Sequence, residues 1–319
     1  MLTPRHALFL ILLVLVGTFS TNAQTPPEAV AAYKRGNQHY LQGDFERAIA
    51  DFTRAIELSS QPAARSQSRH WQAGLGFTTD SSDSGPITLI DPFTAAALSN
   101  RALARFRKGD TEGALADCDR GLAIHPGLLV LYSNRGAIRW ATGNLEGAIS
   151  DFDQAIRKNP RDAQTYNSRG HCRMRQGDLE GALADFDHAI RLNPRKAEFF
   201  CDRGHARLNQ GKVDSALADF ERAVELEPGL AWAYYCRGTA LGKKGNLSRA
   251  LADLTLAIEL NPKMAAAYLN RGWLRLLLGQ NAEAERDFAE CLKLDSSLAS
   301  ELRERIKALK SRNLNDQTW

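Results

Sequence analysis

Hydrophobic and small residues recur along most of this chain in two alternating helical patterns. Tyr33, Gly36 and Tyr40 are spaced by three and four residues, which places them on one face of a helix. After a break at Gly43-Asp44, a second stripe of the same spacing begins. This stripe consists of Phe45, Ala48, Ile49, Phe52, Ala55 and Ile56. The pattern predicts two amphipathic helices joined by a tight turn.

The pair of helices returns with a period of 34 residues. The clearest copy contains Arg169-Gly170 and Asp185-Phe186 and is closed by Pro194. The same residue types follow 34 positions later, at Arg203-Gly204, Asp219-Phe220 and Pro228. A fixed period of this length is the signature of a solenoid, in which each unit packs only against its neighbours. The sequence therefore predicts an all-α solenoid of about seven helix-turn-helix units.

Seven repeats and five other segments divide the chain. The repeats are predicted at residues 29–62, 95–128, 129–162, 163–196, 197–230, 231–264 and 265–298. The other segments are a signal peptide at 1–23, a lead-in at 24–28, an insertion at 63–94, a capping helix at 299–312 and a tail at 313–319. The insertion is rich in Ser, Thr, Gly and Pro, which is typical of a loop. A segment folded back onto the array and a degenerate repeat are the alternatives.

The repeated residues resemble those of the tetratricopeptide repeat family. The shared features are an early Gly in the first helix, a Gly at the turn, an Ala-x-x-x-Phe-x-x-Ala second helix and a closing Pro, as in Gly170, Gly177, Ala182, Phe186, Ala189 and Pro194. The resemblance covers about residues 29–312 apart from the insertion. It implies a right-handed superhelix whose concave face, lined mainly by the first helices, binds an extended or helical segment of a partner protein.

Every repeat carries an Arg in its first helix and an Asp sixteen residues later in its second helix. One interpretation is a charged ladder that grips an anionic ligand. The other is a set of structural ion pairs that link the two helices of a repeat or neighbouring repeats. We favour structural ion pairs because each Arg is accompanied by its own Asp. The pairs are Arg35 with Asp51, Arg101 with Asp117, Arg135 with Asp151, Arg169 with Asp185, Arg203 with Asp219, Arg237 with Asp253, and Arg271 with Asp287.

Side chains around the Arg-Gly pair of each first helix are the candidates for partner binding. Asparagine amides can hydrogen-bond a peptide backbone whatever its sequence, and aromatic rings add anchoring area. A solvated helix face is the alternative for each of them. The candidates are Asn37, Asn100, Asn134, Trp140, Asn167, His171, Met174, His205, Tyr235, Asn270 and Trp273.

Charge and motif content argue against several classes of function. Lys and Arg number 41 against 37 Asp and Glu, and this net charge of +4 is too small to favour nucleic acid. The sequence contains no Gly-rich phosphate loop, nucleophile elbow or zinc-protease motif. His171 and His205 are equivalent in adjacent repeats but have no evident third metal ligand. We therefore expect no catalytic, cofactor-binding or metal-binding residues.

The N-terminal residues predict export. Residues 7–16 (ALFLILLVLV) are wholly apolar, follow Arg5 and precede Thr21-Asn22-Ala23. Ten apolar residues are too few to span a bilayer, which needs about 20, so the pattern is typical of a secretory signal cleaved before Gln24. An uncleaved membrane anchor is the alternative, and it would be the chain's contact with a membrane.

The five cysteines must be weighed against export. Cys118, Cys172, Cys201, Cys236 and Cys291 are odd in number and lack metal or redox spacing. Cys201 and Cys236 lie on adjacent first helices, which pack about 8–10 Å apart, whereas disulfides seldom bridge Cα atoms more than ~7 Å apart. We therefore predict that all five remain thiols.

These observations together predict a non-enzymatic scaffold or adaptor of the cell envelope, periplasmic or secreted, that binds protein or peptide segments in its concave groove. The alternative is a glycan- or peptidoglycan-linked recruiter or regulator of an envelope enzyme, with sugar rings stacked on Trp140 and Trp273. Neither the partner nor the oligomeric state follows from the sequence.

Overall fold

The structure is a computed structural model that describes residues 25–60 and 91–300, together with positions 302 and 304. The predicted signal peptide, most of the predicted insertion and most of the predicted capping helix lie outside the described residues. Within them, every regular element is helical. No helix in the described part of the chain is long and apolar enough to cross a bilayer.

The helices follow one another in pairs, the first and second helix of each repeat. Those of the N-terminal half are α1 (Pro27–Leu41), α2 (Phe45–Ser59), α3 (Pro92–Lys108), α4 (Thr111–Ile124), α5 (Leu129–Ala141), α6 (Leu145–Lys158) and α7 (Ala163–Gln176). Those of the C-terminal half are α8 (Leu179–Leu192), α9 (Ala197–Asn209), α10 (Val213–Leu226), α11 (Ala231–Lys243), α12 (Leu247–Leu260), α13 (Ala265–Leu277) and α14 (Asn281–Leu294), followed by a 3₁₀ turn (Ser296–Leu298).

The chain forms two compact units, Met1–Gln176 and Gly177–Trp319. In the first unit, α1, α3 and α5 each pack on the second helix of their own repeat, and α2, α4 and α6 pack on the next first helix. In the second unit, the same succession runs from α8 to α14. Packing of each helix mainly on its neighbours in sequence is typical of a solenoid. The prediction of an all-α solenoid is confirmed.

The turn within each repeat is made by a glycine and, in most repeats, a capping residue. The glycines at 43, 109, 143, 177, 211, 245 and 279 have φ between 76° and 98°, a region that favours glycine. The next residue caps the second helix, as where Asp110 accepts a hydrogen bond of 2.9 Å from the Gly113 N–H. Lys212 and Gln280 occupy the same position without a side-chain cap.

Helix α3 begins at Pro92, three residues before the start predicted for the second repeat. Asp91 caps it, because its carboxylate accepts hydrogen bonds of 3.1 Å from the N–H groups of Phe93 and Thr94. The Phe93 ring then packs 5.5 Å from that of Tyr33, measured between centroids. The last residues of the predicted insertion, from Asp91 onward, are therefore part of the stack, and the predicted boundary at residue 94 is a few residues too late.

The core of a repeat forms where the early glycine of the first helix meets a ring of the second helix. Phe152 and Phe220 are fully buried. A Cβ atom at Gly204 would lie only 2.5 Å from Cε1 of Phe220, so the two helices approach more closely than any larger residue would allow. In the second repeat the pair is Ala102 and Cys118, where a larger first-helix residue accompanies a smaller partner.

We predict that Gly204→Ala lowers the free energy of unfolding by about 1–3 kcal/mol, because the added methyl group overpacks the Phe220 ring. The same substitution should be better tolerated in a Phe220→Leu background, since Gly238 already faces the smaller Leu254. Denaturant titration of the four variants of this double-mutant cycle measures the coupling. An equal loss in both backgrounds would show that the ring is not the obstacle.

Candidate functional site

The eleven candidate residues for partner binding all lie on first helices. We call this set, from Asn37 in α1 to Trp273 in α13, the first-helix face. Within the first unit it comprises Asn37, Asn100, Asn134, Trp140, Asn167, His171 and Met174. Within the second it comprises His205, Tyr235, Asn270 and Trp273.

Asparagines of the first unit join successive first helices. The Asn100 amide donates to Oδ1 of Asn37 at 2.8 Å and to the Tyr33 hydroxyl at 3.0 Å, and the Asn134 amide donates to the Ser99 hydroxyl at 2.9 Å. Asn37, Asn100 and Asn134 are buried. The amide N–H groups of Asn100 and Asn134 and the amide oxygen of Asn37 therefore bind neighbouring repeats, whereas the sequence had suggested that these amides bind a partner's backbone.

The carbonyl side of these amides has a different environment. Oδ1 of Asn100 and Oδ1 of Asn134 are buried and have no hydrogen-bond partner among the described residues. Buried polar atoms are nearly always satisfied by protein or ordered water. Each oxygen is therefore a place where a water or a donor group would be stabilised.

The second unit repeats this arrangement with a tyrosine. The Asn270 amide donates to the Thr239 hydroxyl at 3.0 Å and to the Tyr235 hydroxyl at 3.4 Å. Burial raises the pKa of Tyr235 to about 12, and hydrogen bonds with Thr239 and Asn270 oppose this rise only in part. The phenol consequently remains neutral at physiological pH and serves as a hydrogen-bonding group.

The two tryptophans of the face pack inward. Trp140 is only 7% exposed, and the Arg175 guanidinium lies 5.5 Å from its ring centroid. Arg175 also donates to the Trp140 carbonyl oxygen at 3.1 Å. Trp273 is half-buried, with its ring 4.9 Å from that of Phe288. Neither tryptophan is a fully open aromatic surface.

Burial thus divides the first-helix face into two classes. Buried members are Asn37, Asn100, Asn134, Trp140 and Asn167. Half-buried members are His171, Met174, His205, Tyr235, Asn270 and Trp273. A partner would reach the second class without displacing helices, so these six are the better candidates for contact.

The Arg and Asp residues of the ladder form bidentate ion pairs between the helices of a repeat. Arg101 donates from Nε and Nη2 to the two carboxylate oxygens of Asp117 at 2.8 and 2.6 Å. Both side chains are buried, at 6% and 1% exposure. In the first repeat, Arg35 is 55% exposed and binds one oxygen of Asp51. The two-bond geometry recurs where Arg135 meets Asp151, Arg203 meets Asp219, Arg237 meets Asp253 and Arg271 meets Asp287.

A second cation reaches most of these aspartates, and sequence reasoning missed it. Four residues after the ladder arginine, another arginine contacts the same carboxylate at 2.8 Å, as Arg139 does with Asp151. The other contacts are Arg105 to Asp117, Arg207 to Asp219 and Arg275 to Asp287, and His39 lies 2.9 Å from Asp51. The recurrence of Arg four residues after the ladder arginine is the sequence feature that could have predicted this second contact.

Asp253 in the sixth repeat departs from the uniform ladder that the sequence suggested. Arg237 donates to its two carboxylate oxygens from Nε and Nη2 at 2.7 and 2.8 Å. The position four residues after Arg237 is Leu241, however, and this aliphatic side chain provides no second cation. The Asp253 side chain is also 11% exposed, whereas that of Asp117 is 1% exposed. Asp253 is therefore held by one guanidinium of its own repeat, and the described pairs differ in how many cations reach the carboxylate.

The ladder arginines also reach the preceding repeat. Nη1 of Arg135 donates to Asp119 at 2.5 Å, and Nη1 of Arg203 donates to Asp187 at 2.6 Å. Arg169 donates to Asp153 at 2.6 Å within the first unit, whereas its sequence-predicted partner Asp185 belongs to the second unit. Each of these guanidinium groups therefore links its own repeat to the one before.

Electrostatics and ring contacts suit this structural role. Burial alone would lower the pKa of Arg135, but hydrogen bonds and charge interactions with Asp151 and Asp119 raise it. Its guanidinium also lies 5.7 Å from the centroid of Tyr132, three residues earlier, and the other ladder arginines from Arg169 onward contact an aromatic ring in the same way. Because neighbours compensate the positive charges, the geometry argues for structural ion pairs over an anion site.

The remaining reactive groups are the cysteine thiols and the side chains that could bind a metal ion. All five cysteines are buried thiols. Cys201 and Cys236 lie on the adjacent first helices α9 and α11, and interaction with the Cys236 thiol, followed by burial, raises the pKa of the Cys201 thiol. In the described part of the chain, no group of three His, Cys, Asp or Glu side chains could hold a metal ion.

Comparison with known families agrees with this architecture. Models described as tetratricopeptide repeat match residues 29–62, 134–197 and 235–299, and a model described as TPR repeat matches residues 204–245. The chain belongs to the tetratricopeptide repeat family. No curated protein matches it. The tetratricopeptide repeat fold generally supports a scaffold for protein–protein interaction.

Solved tetratricopeptide repeat structures are similar over most of the chain. A tetratricopeptide repeat protein from Parabacteroides merdae is 18% identical with a TM-score of 0.64, covering 87% of this chain and 98% of that one. PilF from Pseudomonas aeruginosa is 18% identical with a TM-score of 0.56, covering 67% of this chain and 97% of that one. Identities this low show a shared fold alone.

For the ladder, we predict that Arg101→Lys destabilises the protein by about 2 kcal/mol, because lysine cannot bind both oxygens of a buried carboxylate. The matched change Arg35→Lys should alter stability by less than about 1 kcal/mol, since Arg35 is largely exposed. Thermal and denaturant unfolding of both variants measures the difference. Equal effects would contradict the dependence on burial.

Proposed function

We propose that this protein is a non-enzymatic adaptor of the cell envelope that binds segments of partner proteins on its first-helix face. The observation that carries this proposal is that the stacking residues, the Arg–Asp network and the half-buried first-helix residues have separate roles. Glycine, alanine and phenylalanine hold the stack, and the Arg–Asp network neutralises itself. Most of the half-buried first-helix positions hold different residues in different repeats, His171 and His205 being the exception, so they can provide specificity.

The chemistry of the half-buried residues suits a protein segment. Met174 offers a flexible apolar contact, His205 adds a half-buried ring, and the side-chain carbonyl oxygen of Asn270 can accept a hydrogen bond from a peptide backbone. In the second unit these half-buried side chains lie on three first helices, α9, α11 and α13, whereas the two of the first unit both lie on α7. An extended or helical segment could contact several of them at once.

The glycan-linked alternative receives less support. Sugar binding on Trp140 would require an open ring face, but Arg175 covers that ring and the side chain is buried. Trp273 packs against Phe288. We therefore favour a protein segment over a glycan as the occupant of the first-helix face.

Export to the envelope is the second part of the proposal. It rests on the basic start, the apolar residues 7–16 and the small residues before Gln24. Adaptor arrays need no catalytic group, and the buried charged groups described above are engaged in holding repeats together. We accordingly assign the protein no catalytic role.

For binding, we predict that Met174→Glu and His205→Glu each weaken retention of a partner by about tenfold or more, because a charge would enter a contact surface. Immobilised protein would first recover partners from a periplasmic extract. Affinities of the recovered partner for each variant would then be measured by titration calorimetry.

Ser248→Glu is the matched control, since Ser248 is exposed near the start of the second helix α12. This variant should bind within about twofold of the parent, a difference well under 1.4 kcal/mol. Recovery of glycans without any protein partner would overturn the adaptor proposal. An equal loss of affinity in all three variants would show that the first-helix face is not the binding surface.

For export, we predict that the protein recovered from the envelope fraction begins at Gln24. Intact-mass measurement and N-terminal sequencing would test this directly. A chain that retains Met1 and sediments with membranes would instead support the uncleaved anchor.

A further inference from the structure

Cys201 in α9 and Cys236 in α11 occupy a contact position that recurs between first helices. Ser99 and Asn134 are 35 residues apart on successive first helices and are joined by a hydrogen bond of 2.9 Å. Tyr235 and Asn270 have the same separation and a hydrogen bond of 3.4 Å. Cys201 and Cys236 are also 35 residues apart. The fold therefore brings their side chains together by the same register.

Both thiols lie in the apolar interior of the second unit. Cys201 is fully buried and Cys236 is 5% exposed. Cys201 packs in a cluster with Phe200, Ala223 and Ala233. Helices α9 and α11 pack against each other, and interaction with the Cys236 thiol, followed by burial, raises the pKa of the Cys201 thiol. The same register brings Ser99 and Asn134 within 2.9 Å of each other, so the spacing of first helices does not by itself prevent a bridge.

We propose that Cys201 and Cys236 form an oxidisable dithiol, which becomes a disulfide between the fifth and sixth repeats when the chain meets a small disulfide oxidant. This is a modification site separate from the partner-binding role of the first-helix face. It links two adjacent first helices covalently.

The chemistry is two successive thiol–disulfide exchanges. Cys236, the less buried thiol, loses its proton and attacks one sulfur of the oxidant, which releases one oxidant thiolate and leaves a mixed disulfide. Deprotonated Cys201 then attacks the Cys236 sulfur and expels the second oxidant thiolate. Two cysteine S–H bonds are lost and one S–S bond forms. The two electrons and two protons end on the two oxidant thiols.

Burial determines when this exchange proceeds. An oxidant cannot reach Cys201 in the closed stack, so the exchange requires local opening of the repeats or takes place as the chain folds. The remaining cysteines act as internal references. Cys118 and Cys291 lie on the second helices α4 and α14, and Cys172 lies on α7 of the first unit.

The test is to refold the purified chain from guanidinium in a buffer of reduced and oxidised glutathione, block remaining thiols with N-ethylmaleimide, and map the tryptic peptides. We expect residues 197–203 to be linked to residues 223–237 and the number of reactive thiols to fall from five to three. A peptide with a Cys-x-x-Cys sequence in the same buffer verifies that the buffer is oxidising. The oxidised chain should also melt about 5 °C above the reduced chain.

Single variants separate this pair from the other cysteines. Cys201→Ser and Cys236→Ser should each abolish the linked peptides, whereas Cys291→Ser should retain them. Five alkylated thiols after treatment of the parent chain would overturn the proposal. So would recovery of Cys201 or Cys236 only as a glutathione adduct, or linkage of any other pair.

Discussion

A carboxylate buried in the second helix of most repeats is the constraint on which the stacking depends. Asp117 and Asp151 are almost fully buried, and a buried carboxylate without a cation would strongly destabilise the fold. The first helix of the same repeat supplies that cation as a planar, bidentate guanidinium. Arg135 also reaches Asp119 in the preceding repeat. One side chain therefore orients two helices within a repeat and sets the register against the previous one.

This constraint leaves the first helices to perform two tasks. Amides such as those of Asn100 and Asn270 interlock consecutive first helices, which makes them part of the scaffold. Residues such as Met174 and Trp273 remain half-buried, and their positions hold other residues in the adjacent repeats. A solenoid can change these positions without disturbing its core, because each repeat contacts mainly its neighbours. Partner specificity in this protein is consequently expected from few residues per repeat.

Features that depend on local spacing, such as the helix pairs and the turns, were predicted correctly from the sequence. The helix pairs and the turn glycines follow from the 34-residue period and the apolar stripes. The Arg and Asp of each repeat were paired from their recurrence, but the second cation, such as Arg139, was missed because an arginine one turn further on resembles a solvated residue. For the same reason, the weaker neutralisation of Asp253 beside Leu241 was not foreseen. Asn134 was assigned to a groove surface, although it is fully buried against the neighbouring first helix.

The sequence by itself determined the all-α solenoid, its repeat length and the residues that stack, because these depend on positions three, four and 34 residues apart. Tertiary structure alone decided which first-helix residues remain accessible and which thiols meet. Cys201 and Cys236 belong to different repeats, and typical helix spacing placed them too far apart for a disulfide. Their proximity depends on how closely side chains from two helices converge, and the 35-residue separation alone does not specify that distance.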